Sequence, residues 1–359
     1  MKEAKAGSEF LPESLSVSMI LDEFIKNRNG VLEWLLQPGQ PSVVYYSLTR
    51  LLKKKEHDSQ VRQAREDIML RGLVPAILSQ QNADGSWAVP LRFYHQKFTG
   101  AVWQLMILAE HFANPEDERV RKTCNFILEN SQEQERFGFA YNKSGNSPGG
   151  RPSEVIPCLT GNMVWSLIRL GMLEDEGVQK GIDWICRYQR ADDGAADFPA
   201  DWPYKRFEMC YGKHSCHMGV VKSLKALAEI PPDKRNAQVQ DKIKTLAEFL
   251  LIHHLFKKSH DLEKVSKPGW LKPGFPLMYQ TDILEILEIL VSLGYRDPRM
   301  QAALAILEKK QGPEGRWKLE NSFNGKMLVN SEKKGAWSRW ITAKALYVLT
   351  RNGNPLPNF

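Results

Sequence analysis

Eight residues constrain this chain more than any others: Gln80-Gln81-Asn82-Ala83-Asp84-Gly85-Ser86-Trp87, set between two amphipathic helical runs. The phrase recurs downstream. Gln189-Arg190-Ala191-Asp192-Asp193-Gly194 leads to Phe198, and Gln311-Gly312-Pro313-Glu314-Gly315-Arg316-Trp317 keeps the glutamine, the acid, the glycine and the tryptophan. A degenerate copy runs from Gln134 through Phe137-Gly138-Phe139. An acid and glycine after a helix make a turn in which glycine takes the positive φ that other residues resist. The aromatic that follows is large enough to pin the turn against neighbouring helices. The glutamine, in the last helical turn, can bond backbone groups that the helix end leaves open. Four such phrases at comparable places are a repeat array, and that decides the fold class.

The helices between the phrases come in pairs. Leu15 to Leu36 reads as the first helix, with an apolar stripe at Leu21, Phe24, Ile25, Leu32 and Leu35. Gln37-Pro38-Gly39-Gln40-Pro41 breaks it, and a second runs from Ser42 to about Lys55. A charged helix over Val61–Gln81 is followed by an apolar one from Thr99 through Ala109. The pattern repeats as Glu116–Gln132 with Thr160–Leu170, Val178–Gln189 with Cys216–Leu227, Ala237–Phe256 with Thr281–Leu293, and Pro298–Gln311 with Ser338–Leu349. The second helices align on Leu105, Leu167, Leu224, Leu287 and Leu346, at spacings of 62, 57, 63 and 59 residues. Gly171, Gly294 and Gly353 fall just past three of them, as helix C-caps do. The more charged first helices suit an outer layer, and the second helices an inner layer buried on both sides. Six hairpins with enclosed inner helices predict an all-α, α6/α6 toroid, because an open stack would need polar caps at its ends.

Composition narrows the function classes. The chain of 359 residues is 42% hydrophobic and 25% charged, an ordinary globular profile with ample material for a core. No apolar run approaches the ~20 residues of a membrane span, and the N-terminus lacks a signal-peptide apolar region. Residues 1–14 are read as a tail, disordered or left by cloning, and residues 15–359 as one toroid domain. Five cysteines, an odd count without a secretion signal, point to reduced thiols and a cytoplasmic protein. The net charge of +7 is modest and dispersed, which argues against a nucleic-acid partner.

At Gln81…Asp84-Gly85-Ser86-Trp87 and Gln311…Gly315-Arg316-Trp317 the chain resembles the QW repeats of squalene and oxidosqualene cyclases. The hairpin array is similar to the toroid those enzymes share with protein prenyltransferase β-subunits, and the likeness spans Val61 to Leu349. It implies an active cavity inside the barrel, near the N-terminal ends of the inner helices. The DxDD acid motif of class II cyclases and the DDxxD metal motif are both missing. Glu208-Met209-Cys210-Tyr211 resembles the prenyltransferase DxCY segment with glutamate for aspartate. Tyr279-Gln280-Thr281 resembles YHT with glutamine in place of the histidine ligand.

Asp282, opening an inner helix, is the candidate catalytic acid, with a first-turn aspartate favoured by the helix dipole as the plain reading. His217 is the second catalytic candidate. Cys210, His214, Cys216 and His217 lie within eight residues, and Cys210, Cys216 and His217 form the candidate metal set, with zinc as the candidate cofactor. Trp103, Trp165, Tyr279, Gln280, Arg339 and Trp340 are candidate substrate contacts, since π faces stabilise cations by ~0.5–2 kcal/mol each. The expected function is a terpenoid-cyclase-like enzyme acting on a small apolar or prenyl substrate. A zinc-dependent enzyme on the same ring and a non-catalytic lipid- or ligand-binding toroid are the alternatives. One helical domain, where a full cyclase carries two, leaves room for a partner subunit.

Overall fold

The computed structural model describes residues 30–193, 204, 208–212 and 214–353. The copy of the turn phrase that ends at Phe198 and most of the expected first helix lie outside the described residues. In chain order the helices are α1 (30–36), α2 (Pro41–Tyr46, continued by a π-helical stretch Ser47–Leu51), α3 (Ser59–Leu70), α4 (Leu73–Leu78), α5 (Ala101–Glu110), α6 (Glu118–Ser131) and α7 (Pro157–Arg169). They continue as α8 (Glu176–Tyr188), α9 (Glu208–Tyr211), α10 (His217–Glu229), α11 (Ala237–Ile252), α12 (Ile283–Ser292), α13 (Gln301–Lys309) and α14 (Arg339–Arg351). Five short 3-10 turns and two small antiparallel ladders accompany these helices among the described residues, the ladders pairing β1 (Lys257–Lys258) with β2 (Asp261–Val265) and β3 (Trp317–Lys318) with β4 (Trp337–Ser338).

The fold is an α/α toroid. The six inner helices fall where the sequence pattern puts them, at α2, α5, α7, α10, α12 and α14. Burial separates the layers. All residues of Ala101–Ala109 in α5 and of Pro157–Ile168 in α7 are buried, whereas α3 buries only Val61, Ala64 and Ile68. Helices α5, α7, α10, α12 and α14 pack each on the next, and α14 packs on α2. The turn after α5 completes the circle: Ser42 Oγ donates to His111 O at 2.9 Å, and Phe112 packs on Tyr45 with ring centroids 4.9 Å apart. Helices α2, α5, α7, α10 and α12 also lean on the outer helix of the following hairpin, as α5 does on α6 and α7 on α8. Where α7 crosses α10, Gly161 sets the approach: a Cβ there would stand 2.5 Å from the Lys222 carbonyl carbon.

The turn phrases clamp one hairpin to the next. Trp87 is 1% exposed and its Nε1 donates to Ile77 O at 3.0 Å; Trp317, 0% exposed, donates to Leu307 O at 2.8 Å, again ten residues back. Gly85 has φ +87°, and a Cβ on it would meet Lys122 O of α6 at 2.5 Å. The glutamine does more than cap its own helix. Gln81 Nε2 donates to Arg119 O (2.8 Å) and Thr123 Oγ1 (2.6 Å) on α6.

Two details differ from the sequence pattern. In the degenerate copy the clamping glutamine is Gln132, not Gln134, because Gln132 Nε2 reaches Gly177 O on α8 at 2.7 Å. Phe139 takes the tryptophan's place there: its N–H donates to Thr160 Oγ1 at 3.0 Å, as that of Trp317 does to Thr342 Oγ1 at 3.0 Å. The expected continuous helix Val61–Gln81 is broken at Arg71–Gly72. Pro75 has no N–H to give and would clash with the turn before it, so the helix restarts with Pro75 in its first turn.

Trp87→Ala and Trp317→Ala should each lower the unfolding free energy by ~3–5 kcal/mol in urea titrations, as large-to-small core changes do. Equal midpoints for variant and parent would remove the clamp role.

Candidate functional site

The inner helices carry charges that apolar helices ordinarily avoid. In α12, Ile-Leu-Glu-Ile-Leu-Glu-Ile-Leu, Glu285 and Glu288 stand three apart and therefore share a face; in α10 Lys222 and Lys225 do the same. Glu110 ends α5, Arg169 ends α7, Glu229 ends α10, and Lys344 lies in the middle of α14. The fold brings all of them together. Lys222, 1% exposed, places Nζ 2.7 Å from both oxygens of Glu285. Lys225 Nζ bridges Glu110 (2.5 Å) and Glu285 (3.2 Å), and Lys344 Nζ bridges Glu288 (2.9 Å) and Glu110 (3.5 Å). Tyr46 of α2 donates its OH to Glu288 at 2.7 Å. A second cluster joins α7 to α10, where Arg169 Nη1 lies 2.7 and 2.8 Å from the oxygens of Glu229.

All of these groups except Lys222 wall a central cavity of about 330 Å³ at the C-terminal ends of the inner helices. Trp165 forms part of the wall with the Lys225 ammonium 3.6 Å above its ring, and Arg50 reaches the wall from α2. Burial by itself would raise the carboxyl pKa values here, but the cations outweigh it. Lys225 and Lys344 hold Glu110 well below the usual carboxylate range; Lys222 and Lys225 lower the pKa of Glu285, and Arg169 and Arg50 that of Glu229. One donor is left over: the buried Arg169 Nε–H has no partner among the described residues.

The candidates from sequence are scattered over several environments. Trp165 lies on this cavity. Trp103 and Tyr279 meet at the other end of the inner helices, their rings 6.0 Å apart, in a cluster with Phe98, Tyr94 and Phe323. Gln280 follows Tyr279, half-buried, in the loop before α12. Arg339 acts as a seam, donating to Gln37 O (3.1 Å) and Gln37 Oε1 (3.0 Å) and so tying the last helix to the first. Trp340 is core, stacked on Phe275 at 4.5 Å.

Asp282 is the N-cap of α12 and 1% exposed. Its Oδ1 accepts from Glu285 N and its Oδ2 from Gly274 N, each at 2.8 Å. Burial nevertheless pushes its pKa up to about 7. His217 stacks on Trp270 at 4.3 Å, and burial, then His253, pushes its pKa down to about 3. Cys210 and Cys216 are free, half-buried thiols, and His217 is turned onto Trp270. Among the described residues no three His, Cys, Asp or Glu side chains are arranged to hold a metal ion. Asp193, expected only to shape a turn, bonds His214 (2.6 Å) and His253 (3.0 Å).

No family model matches the chain, and no curated protein matches it. Solved structures similar to it include a family 76 glycoside hydrolase from a bovine Bacteroides thetaiotaomicron strain, 13% identical, TM-score 0.47, covering 91% of this chain and 68% of that one. A type II terpene cyclase, MstE from Scytonema, is 14% identical with TM-score 0.45, covering 93% and 99%. A MstE variant in complex with geranylgeranyl dihydroxybenzoate is 14% identical with TM-score 0.43, covering 94% and 99%.

The central charges were absent from the sequence-based candidates. Their signal was there: glutamates and lysines three apart inside otherwise apolar inner helices.

Glu285→Gln should cost ~3–5 kcal/mol, because it leaves Lys222 buried and only partly neutralised. The double variant Glu285→Leu with Lys222→Met should recover most of that in the same denaturation assay.

Proposed function

We propose that the protein is a toroid that binds a small oxyanion-bearing molecule in its central cavity. The observation that carries this reading is Arg169, a residue of the cavity wall whose buried Nε–H has no partner among the described residues. A buried donor without an acceptor costs roughly 1–3 kcal/mol, which a bound phosphate or carboxylate oxygen would recover. Arg50 adds cationic capacity. Its side chain is 43% exposed and its Nη2 lies 3.9 Å from Glu229, a long contact that leaves donors for a ligand. The wall supports binding better than proton transfer, because Glu110, Glu229 and Glu285 are held ionised and are poor proton donors at neutral pH.

Inorganic pyrophosphate is the simplest probe. Calorimetry at low salt should give one site per chain. Arg169→Lys, which keeps the charge beside Glu229 and removes the Nε donor, should weaken binding by roughly 10- to 100-fold. Undetectable binding by the parent, or equal affinity in the variant, would discard the reading.

A second reading is an enzyme of the terpenoid-cyclase-like class acting on an isoprenoid. It draws support from Asp282, a buried acid that retains a proton to about pH 7, in the inner-helix mouth that also holds the Trp103 and Tyr279 aromatics. The linkage has a definite sign. The folded protein keeps this proton between about 3.8 and about 7 while the unfolded chain releases it, so Asp282 makes stability fall as pH rises through that window. The melting-temperature difference, parent minus Asp282→Asn, should therefore decline from pH 4 to 7 and then level off. A difference that stays flat would mean that Asp282 is ionised throughout and no candidate acid. Incubation of both proteins with linear prenyl substrates then tests the reaction itself: cyclic product from the parent alone is the expected result.

A further inference from the structure

A second cavity, of about 260 Å³, lies at the seam where the last hairpin meets the first, and it shares no wall residue with the central cavity. Its wall is drawn from separate parts of the chain: residues 39–42 at the turn into α2, residues 71–74 where α3 gives way to α4, His111 just after α5, and residues 329–332 with Trp340 at the start of α14. Those parts adjoin only in the closed ring. Two charged side chains on this wall are already engaged. Arg71 pairs with Asp67, four residues back in the chain. Glu332 caps α14: its Oε1 accepts from Arg339 N at 2.7 Å and from Trp340 N at 3.3 Å, and Ser338 Oγ donates to its Oε2.

Two uncharged side chains on the wall each keep a polar atom unused. His111 is 5% exposed, and its Nε2 has no hydrogen-bond partner among the described residues. Its ring stands edge-on to Phe275 and Trp340, with centroids 5.5 and 5.3 Å away. Burial outweighs the neighbouring Glu110 and pushes the His111 pKa down to about 4, so the ring is neutral at pH 7 and Nε2 donates or accepts according to tautomer. Gln40 is the N-cap of α2, yet its side chain makes no capping bond, and its buried Oε1 is likewise without a partner among the described residues. Such atoms are uncommon in folded proteins, because each gives up its bonds to water and gains none in return. An apolar side chain of similar size would serve the fold at least as well at either position.

We propose that the seam cavity is a second binding site, for a small uncharged molecule that carries hydroxyl groups on an apolar body. Gln40 Oε1 can only accept, so the ligand must bring a donor, and the neutral His111 nitrogen suits either side of a hydroxyl. A hydroxyl supplies donor and acceptor in one atom without charge. The two charges on the wall are opposite in sign and both paired, so they select neither a cation nor an anion. Leu73, Val74, Val329 and Trp340 give the wall its apolar part. Since the wall is assembled by ring closure, the ligand binds the closed ring alone and stabilises it.

The test uses the full chain and trans-1,2-cyclohexanediol, a soluble ring of about eight non-hydrogen atoms, for which a dissociation constant of roughly 1–10 mM is expected. The diol should raise the melting temperature of the parent. In long-range proton–nitrogen spectra it should shift the His111 imidazole signals, assigned by their loss in His111→Phe. His111→Phe and Gln40→Met should each weaken diol binding by roughly tenfold or more, with unchanged circular dichroism. Without diol, both variants should melt at or above the parent, since each replaces an unpartnered polar atom by an apolar one. His111 signals that stay in place as diol is raised to high millimolar concentration, or undiminished affinity in either variant, would overturn the proposal. So would a variant that melts below the parent without diol, because the polar atom would then have a structural role.

Discussion

The chain of buried ion pairs Lys222–Glu285–Lys225–Glu110–Lys344–Glu288 is the interaction on which the rest of the ring depends. It joins α10, α12, α5 and α14, and through Tyr46 it takes in α2. Buried pairs are weak evidence for stability, because desolvation offsets most of the Coulomb gain. Their effect here is on arrangement. Each lysine except Lys222 serves two carboxylates on different helices, so a shift of one helix along its axis would strand charge in a dry interior. Apolar packing alone would tolerate such sliding far better.

The turn phrases govern the other side of each helix. The tryptophan pins its turn to the helix it follows, and the glutamine reaches across to the next outer helix. Neighbouring hairpins are thus tied at their edges while the ion pairs tie them at the centre. Arg339 and Gln37 complete the ring by joining elements 302 residues apart in sequence. A hairpin in such an array buries its surfaces against two neighbours, so the ring gains most of its stability only when the ends meet.

That architecture produces two chemically different ends. At the C-terminal ends of the inner helices the cavity is polar and its charges are largely matched, with Arg169 Nε the exception. At the N-terminal ends aromatic rings and the capped Asp282 prevail. Fold alone does not decide which end works, because one fold hosts many chemistries.

The sequence by itself determined the all-α class, the number of hairpins and the place of the inner helices, because helical periodicity and turn chemistry are local properties. Trp87 and Trp317 could be placed in the core for the same reason: a tryptophan after a tight turn has few other ways to leave water. It could not say which glutamine of the degenerate copy clamps, since Gln132 and Gln134 differ only in what lies opposite them on α8. Nor could it reveal what Asp282 caps, that His217 would stack on Trp270, or that Glu285 would find Lys222. Partners 63 residues apart are set by how α10 and α12 cross in the closed ring. Only the tertiary structure decides that, because in the extended chain each of those charges would rather stay in water.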